Sequence, residues 1–173
     1  MVAPLRRATA LDLDAIMVIE NASFHADAWS RVAMGRELAN PLTFYVVAPL
    51  IADDEVPAVP GSLAGYAGLF SLPDGPQADV QTIAVAESAR RQGLGRTLIA
   101  ALIAEARARG VAELFLDVRA DNLGAQALYE SLGFIAIDTR PGYYHSDNMT
   151  AIVMVLALET PAPHRGEPVG GAR

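Results

Sequence analysis

The chain has 173 residues, 52% of them hydrophobic, and its formal net charge of −7 comes from 13 arginines and 20 acidic residues, with no lysine and no cysteine. This length suits a single domain, and the lack of cysteine excludes disulfides, a thiolate nucleophile and cysteine-ligated zinc. The acidic balance argues against nonspecific binding to nucleic acid, and the absence of a long apolar run or a signal-peptide pattern leads us to expect a cytoplasmic protein that binds no membrane.

The N-terminal half alternates strand and helix signals. In chain order the predicted elements are a strand over 5–9, a helix carrying Leu13, Ile16, Met17 and Ile19, a helix over 29–40, antiparallel strands over 44–50 and 63–72, and a strand over 78–85. The acidic, proline-containing segment 52–61 predicts a surface loop that joins two strands.

The C-terminal half begins with a strongly amphipathic helix over 94–109, whose apolar stripe predicts core packing and which ends at Gly110 in the position of a C-terminal cap. After it we predict a strand over 113–118, a helix capped by Asp121 or Asn122 that runs to 132, and strands over 135–139 and 151–158 around a loop at 141–145. Residues 159–173 predict a flexible tail after a domain that spans 1–158. The order of elements predicts an α/β fold with a mixed sheet.

The loop Arg90–Arg96 predicts an anion site. Gly93 and Gly95 let the backbone approach a ligand, the first turn of the following helix offers free N–H groups, and the nearby arginines suit phosphate. A P-loop is excluded because it needs a lysine, and a dinucleotide fingerprint is incomplete. The sequence therefore favours a pyrophosphate-bearing cofactor, and the alternative is an arginine-rich turn that only caps a surface helix.

The same loop resembles the acetyl-CoA signature Q/R-x-x-G-x-G/A of GNAT-fold acetyltransferases, and the chain is most similar to the RimI-type ribosomal-protein-alanine N-acetyltransferases of that family. The segments that carry the resemblance are 82–85, 91–96, 116–122, 127–134 and 142–144, with a looser match at Glu20, Phe24 and Trp29-Ser30. The resemblance implies a mostly antiparallel mixed sheet with helices on both faces and a splayed central strand pair that holds acetyl-CoA.

Site residues follow from the resemblance by position. It implies that the cofactor is bound by Ile83, Ala84, Val85, Arg90, Arg91, Gln92, Gly93, Leu94, Gly95, Arg96 and Asn122, with Ile83 and Val85 pairing to the pantetheine arm. Tyr129 would donate a proton to the departing thiolate, and Tyr143 and Tyr144 would cover the acceptor peptide. No metal is implied.

One position departs from the family. Asp117 stands where the family has the glutamate that takes the proton of the amine, and it is one methylene shorter, so we expect it to act through water or on a different peptide path. The alternatives are that Asp117 pairs with Arg119 or caps backbone, that Tyr129 is a core residue, and that Tyr143 and Tyr144 form a packed turn. For Glu20 the alternatives are attraction of a substrate amine and, as the commoner case, a solvated helix face.

The resemblance implies an enzyme that acetylates the N-terminal α-amine of a protein, with an alanine-starting ribosomal protein as the partner, and the lack of cysteine favours direct attack by the amine. The nearest rival is an acetyltransferase of the same fold that modifies lysine or a small amine. A sensor that binds acetyl-CoA without turnover and a generic phosphate-binding regulator remain as further alternatives.

Overall fold

The computed structural model describes residues 2–50 and 61–158, in which seven strands form one sheet. The strands are β1 (Arg6–Arg7), β2 (Thr43–Pro49), β3 (Leu63–Ser71), β4 (Gln77–Val85), β5 (Glu113–Arg119), β6 (Ile135–Tyr144) and β7 (Met149–Ala157). Their order in the sheet is β1-β2-β3-β4-β5-β7-β6. All neighbours are antiparallel except β4 and β5, so the predicted mixed, mostly antiparallel sheet is confirmed.

Four α-helices of the described residues cover the two faces of the sheet. They are α1 (Leu13–Phe24), α2 (Arg31–Ala39), α3 (Leu94–Ala108) and α4 (Leu123–Glu130). The stripe of α3 packs into the larger core with Leu98, Ile99 and Leu102 fully buried, whereas α1 and α2 form a second core on the opposite face around Ile16 and Met34. No helix of the described part is long and apolar enough to cross a bilayer.

Local signals fix where the helices begin and end. The Ser30 hydroxyl accepts from the N–H of Ala33 at 3.2 Å and caps α2, and the Asn122 side chain accepts from Ala125 at 3.1 Å and caps α4. Gly110 follows α3 with a φ of 74°, as its predicted capping position requires. Of the two candidate caps for α4, the structure therefore selects Asn122.

The structure corrects two predicted elements. The first strand is only Arg6–Arg7 and not 5–9, because the chain turns away after Ala8, whose N–H still donates to the carbonyl of Tyr45 at 2.8 Å, and enters the helical turn at 10–12. The predicted loop at 141–145 is wrong for its first four residues, since β6 continues through them to Tyr144 across an irregular register. A proline is tolerated there because β6 lies at the edge of the sheet and needs few outward hydrogen bonds. Residues 52–60 and the predicted tail lie outside the described residues.

The parallel strands β4 and β5 pair over three residues and then diverge. The pairs run from Gln77 with Glu113 to Asp79 with Phe115, and β4 continues to Val85 without further pairing to β5. The two strands therefore open as a V, which confirms the predicted splayed pair at the centre of the sheet. The arms of the V frame the site.

Candidate active site

A cleft of about 1070 Å³ fills the opening between β4 and β5. Its lining brings together six residues predicted from the sequence, which are Ile83, Asp117, Asn122, Tyr129, Tyr143 and Tyr144. The connection from α1 to α2 and the end of β6 form its other walls. The remaining predicted residues, Ala84, Val85 and 90–96, lie outside this lining, along the arm of β4 and at the start of α3.

One edge of β4 has backbone groups turned toward the opening. The N–H of Ala86 donates to the carbonyl of Ala64 at 2.8 Å, and bonded pairs alternate with non-bonded pairs along an antiparallel ladder. Ala84 therefore also bonds to β3, while Ile83 and Val85 direct their N–H and C=O groups to the side where β5 has diverged. This register suits a ligand with amide groups along its length.

The loop 90–96 adjoins that edge. The Nε of Arg90 donates to the carbonyl of Val85 at 3.1 Å, which ties the loop to the end of β4. Gly93 caps α3 with a φ of 82°, and a side chain added to it would meet nothing within 4 Å, so the space above it is open. No side chain caps the start of α3, and the first N–H groups of a helix have no acceptor within it, which is the arrangement that an anion site uses.

The other residues of this loop divide between structure and open surface. The side chain of Leu94 belongs to the core, so only its backbone can face a ligand. Gly95 packs against α4, because an added Cβ would lie 3.4 Å from Leu128. Gln92 donates to the carbonyl of Ser88, and Arg96 donates to the Ser131 hydroxyl at 2.6 Å, which fastens the start of α3 to the end of α4. Arg91 adopts a φ of 64°.

Tyr129 is both a core residue and part of the cleft. Its side chain is 6% exposed, and its ring packs on Phe134 at a centroid distance of 5.8 Å. Burial, with a smaller contribution from Tyr144, raises the pKa of the Tyr129 phenol to about 12. The hydroxyl is therefore protonated at neutral pH and can donate a proton or a hydrogen bond into the cleft.

Asp117 has a partner that the sequence did not indicate. Its Oδ2 accepts from the guanidinium of Arg140 at 2.9 Å, whereas Arg119, the partner considered as an alternative to a catalytic role, binds Asp121 and Asp147. Asp117 and Arg119 lie on the same face of β5, but their surroundings differ. Arg119 lies at the strand end, beside the turns that carry both aspartates, and Arg140 approaches Asp117 from β6.

Tyr143 and Tyr144 form an aromatic wall at the end of β6. Their rings meet edge to face at 5.3 Å, and an arginine lies over each of them, Arg140 over Tyr143 at 5.6 Å and Arg119 over Tyr144 at 5.0 Å. Desolvation and then the charge of Asp117 raise the pKa of Tyr144 to about 12. The arginines keep both rings against the cleft.

Glu20 is not on a solvated helix face, because its side chain is fully buried. One carboxylate oxygen accepts from the N–H of Trp29 at 2.7 Å, and the other accepts from the hydroxyl of Tyr66, which also contacts Thr82. Burial and the charge of Glu20 raise the pKa of Tyr66, so the phenol stays a donor. This network fastens the connection between α1 and α2 to the sheet beside the cleft.

Two residues of the cleft on β4 escaped sequence reasoning. The ladder between β3 and β4 shifts register opposite Gly68, and at this bulge Gln81 accepts from the Tyr45 hydroxyl and donates to Glu37, each at 3.0 Å. Asp79, the other residue, lies at the base of the V. The sequence did offer a signal for Asp79, because it is a charged residue within the predicted strand that leads to the loop 90–96.

Comparison with known proteins identifies the class. Residues 13–134 match the model of the acetyltransferase (GNAT) family, and the chain belongs to this family. The chain is 46% identical over 98 residues to the [ribosomal protein bS18]-alanine N-acetyltransferase of Escherichia coli, covering 57% of this chain and 65% of that protein. It is 38% identical over 152 residues to the enzyme of that name from Salmonella typhimurium, covering 85% of this chain and 92% of that one.

A solved structure agrees with this assignment. The ribosomal-protein-S18-alanine N-acetyltransferase from Escherichia coli superposes with a TM-score of 0.78 at 33% identity, over 95% of this chain and 98% of that one. The chain is also 38% identical over 149 residues to an uncharacterised protein of Mycobacterium leprae, but it spans only 38% of the length of that protein. The family and the fold therefore agree across sequence and structure.

Proposed function

We propose that this protein transfers the acetyl group of acetyl-CoA to the N-terminal α-amine of a protein, in the manner of ribosomal-protein-alanine N-acetyltransferases. The V between β4 and β5 carries this proposal, because its free strand edge runs from the loop at Gly93 to the cleft at Tyr129. The names of the Escherichia coli and Salmonella relatives support the choice of acceptor. A ribosomal protein as acceptor implies a cytoplasmic enzyme, and we assign residues 1–158 to the catalytic domain.

The cofactor end of the site fits acetyl-CoA. The outward amide groups of Ile83 and Val85 suit the amides of a pantetheine arm, and the first turn of α3 suits a diphosphate. We assign binding of acetyl-CoA to residues 83–85, 90–96 and Asn122. Bound there, acetyl-CoA supplies the activated acetyl group.

Tyr129 is the proposed proton donor. Its buried phenol remains protonated at neutral pH, and it lies on the wall of the cleft where β5 and α4 meet. Donation of this proton to the departing thiolate lets the C–S bond break without releasing a charged sulfur. The hydroxyl then regains a proton from solvent.

Asp117 is proposed to act on the amine through a water molecule. An aspartate reaches about one methylene less far than the glutamate of the family, and Arg140 already occupies its Oδ2. The second oxygen is left to accept a hydrogen bond from a bridging water. The aromatic wall of Tyr143 and Tyr144 then holds the first residues of the acceptor over this water.

Mass analysis of a peptide panel tests the proposal. Alanine-starting peptides with a free N-terminus are incubated with the protein and acetyl-CoA beside identical peptides that carry a blocked N-terminus and an internal lysine. We expect one added acetyl group on the free N-termini and none on the blocked peptides. Acetylation mainly of the blocked peptides would instead assign a lysine acetyltransferase, and a protein that binds coenzyme A without any product would be the sensor.

A further inference from the structure

Asp79 and Asp117 lie on the same face of the sheet at the base of the V. Asp79 pairs with Phe115 in the last contact between β4 and β5, and the preceding pair, Ala78 with Leu114, is buried in the core beneath α3. Because successive side chains alternate, Asp79 and Phe115 point to the opposite face. Asp117 follows Phe115 by two residues and shares that face, about 7 Å further along the strand.

Asp79 differs from the other carboxylates of the cleft in having no partner. Glu20 accepts a hydrogen bond from the N–H of Trp29, Asp27 accepts one from the N–H of Ser146, and Asp117 accepts one from the guanidinium of Arg140. Within residues 2–50 and 61–158, no group donates a hydrogen bond to Asp79 and no cation pairs with it. Asp79 is exposed to solvent, and a carboxylate beside a reaction cleft that no protein group engages is available to accept a proton.

The electrostatic surroundings favour protonation of Asp79. Partial desolvation and the nearby charge of Asp117 raise its pKa, and Arg140 opposes this with a smaller effect. Its ladder partners on β3 and β5 are Phe70 and Phe115, which carry no charge. A carboxylate whose pKa moves toward neutral pH is a better general base than one at its ordinary value.

We propose that Asp79 is a second catalytic carboxylate, which receives the proton that the acceptor amine loses, while Asp117, held by Arg140, orients the water through which this proton passes. The inference rests on the proposed acetyl transfer. The amine nitrogen bonds to the acetyl carbon as the C–S bond breaks, its proton passes to Asp79 and then to solvent, and Tyr129 protonates the sulfur. This division of work gives the short side chain of Asp117 a role that does not require it to reach the amine.

The test compares pH profiles of kcat/KM for the parent, Asp79→Asn, Asp79→Glu and Asp117→Asn, with a free N-terminal peptide as acceptor. The α-amine titrates near pH 8, so each profile rises with unit slope below that value, and a base adds a second unit of slope below its own pKa. We expect the steeper region of the parent to extend to higher pH than the ordinary pKa of an aspartate, because the pKa of Asp79 is raised. Asp79→Asn should lose this region, with a fall of about 10²-fold or more in kcat/KM. Asp79→Glu should keep the steeper region, and Asp117→Asn should lose rate but keep it.

Binding and stability provide readouts besides turnover. The pKa of Asp79 is raised in the folded protein, so its charged form costs stability at pH values above that pKa, and Asp79→Asn should leave Tm unchanged or raise it at pH 7. The shift of Tm by coenzyme A should match the parent. Asp74→Asn, in the turn before β4, removes the same charge away from the cleft and should behave as the parent in every assay.

The outcomes separate this role from the overall function. A steeper region that persists in Asp79→Asn and disappears in Asp117→Asn would overturn the role of Asp79 and return the base to Asp117, with acetyl transfer intact. A fall in Tm or in coenzyme A affinity of Asp79→Asn that accounts for its loss of rate would also overturn it, because Asp79 would then be structural. Failure of the parent to acetylate any amine would reject the proposed function and this role with it.

Discussion

The two ends of the cleft are built from different parts of the polypeptide. At the proposed cofactor end the groups that we assign to ligand binding are backbone atoms, namely the free edge of β4 at Ile83 and Val85 and the first turn of α3 after Gly93. At the acceptor end they are side chains that reach the cleft from α1, β4, β5 and β6. The geometry of the cofactor end therefore depends on the fold, whereas that of the acceptor end depends on the particular side chains of this sequence.

This difference predicts what substitutions will do. Backbone groups are positioned by register and by φ, so only changes of glycine or of strand pairing disturb the cofactor end. Side chains at the acceptor end are held by one another, as Arg119 and Asp147 or Arg140 and Asp117 show. A single substitution there should change binding of the acceptor and leave the affinity for coenzyme A intact. The variants that follow test this separation.

The largest effect should come from Tyr129, where the two ends meet. Tyr129→Phe keeps the ring packed on Phe134 but removes the proton donor, so we expect kcat to fall by about 10²–10⁴-fold. Coenzyme A affinity and Tm should stay near those of the parent. Stopped-assay kinetics and thermal shift measure these quantities, and a kcat equal to that of the parent would remove Tyr129 from the chemistry.

A smaller effect is expected at Glu20, which fastens the acceptor side to the sheet. Glu20→Ala leaves the N–H of Trp29 and the hydroxyl of Tyr66 without their acceptor, and each buried orphan donor costs about 1–3 kcal/mol. We expect Tm to fall by roughly 5–10 °C and the KM for the acceptor peptide to rise.

Glu20→Gln serves as the matched control for that variant. Its amide oxygen can still accept from Trp29, and the Tyr66 hydroxyl can turn to accept from the amide nitrogen, so most of the lost stability should return. Coenzyme A affinity, measured by titration calorimetry, should be unchanged in both variants. Equal losses of coenzyme A and peptide affinity in Glu20→Ala would show that the two ends are not independent.

The same separation explains what could be predicted from the sequence. The glycine turn that begins α3, the splayed strands and the positions of Asp117 and Tyr129 follow a spaced pattern of glycines and a strand order, and these determine backbone geometry. The partners of the acceptor end join segments far apart in the chain, such as Asp27 with Ser146 and Asp117 with Arg140. Local periodicity contains no information about such pairs, so the sequence suggested only the nearby Arg119 as an alternative partner for Asp117 and not Arg140.

Two further differences have the same origin. Glutamate usually lies on a solvated helix face, but Glu20 follows Ile16 by four residues on the buried side of α1, where Trp29 and Tyr66 donate hydrogen bonds to it. The proline and glycine at 141–142 signal a turn locally, yet pairing with β7 resumes at Tyr144 and keeps this segment in the edge strand. Tertiary contacts override the local preference at both places.

The smallest expected effect isolates the backbone character of the cofactor end. Gly93 and Gly110 flank α3, both have positive φ, and an added Cβ meets nothing within 4 Å at either. Alanine at each position should therefore lower the unfolding free energy by a similar amount, roughly 1–2 kcal/mol, because alanine disfavours a positive φ.

The two variants should differ in coenzyme A binding. Only Gly93→Ala places a methyl group where we propose that the diphosphate approaches, so we expect it to weaken coenzyme A binding by about tenfold, or 1.4 kcal/mol, while Gly110→Ala binds as the parent does. Equal affinities in the two variants would mean that the ligand does not approach the first turn of α3, and the backbone account of this end would have to be replaced by one based on the arginine side chains.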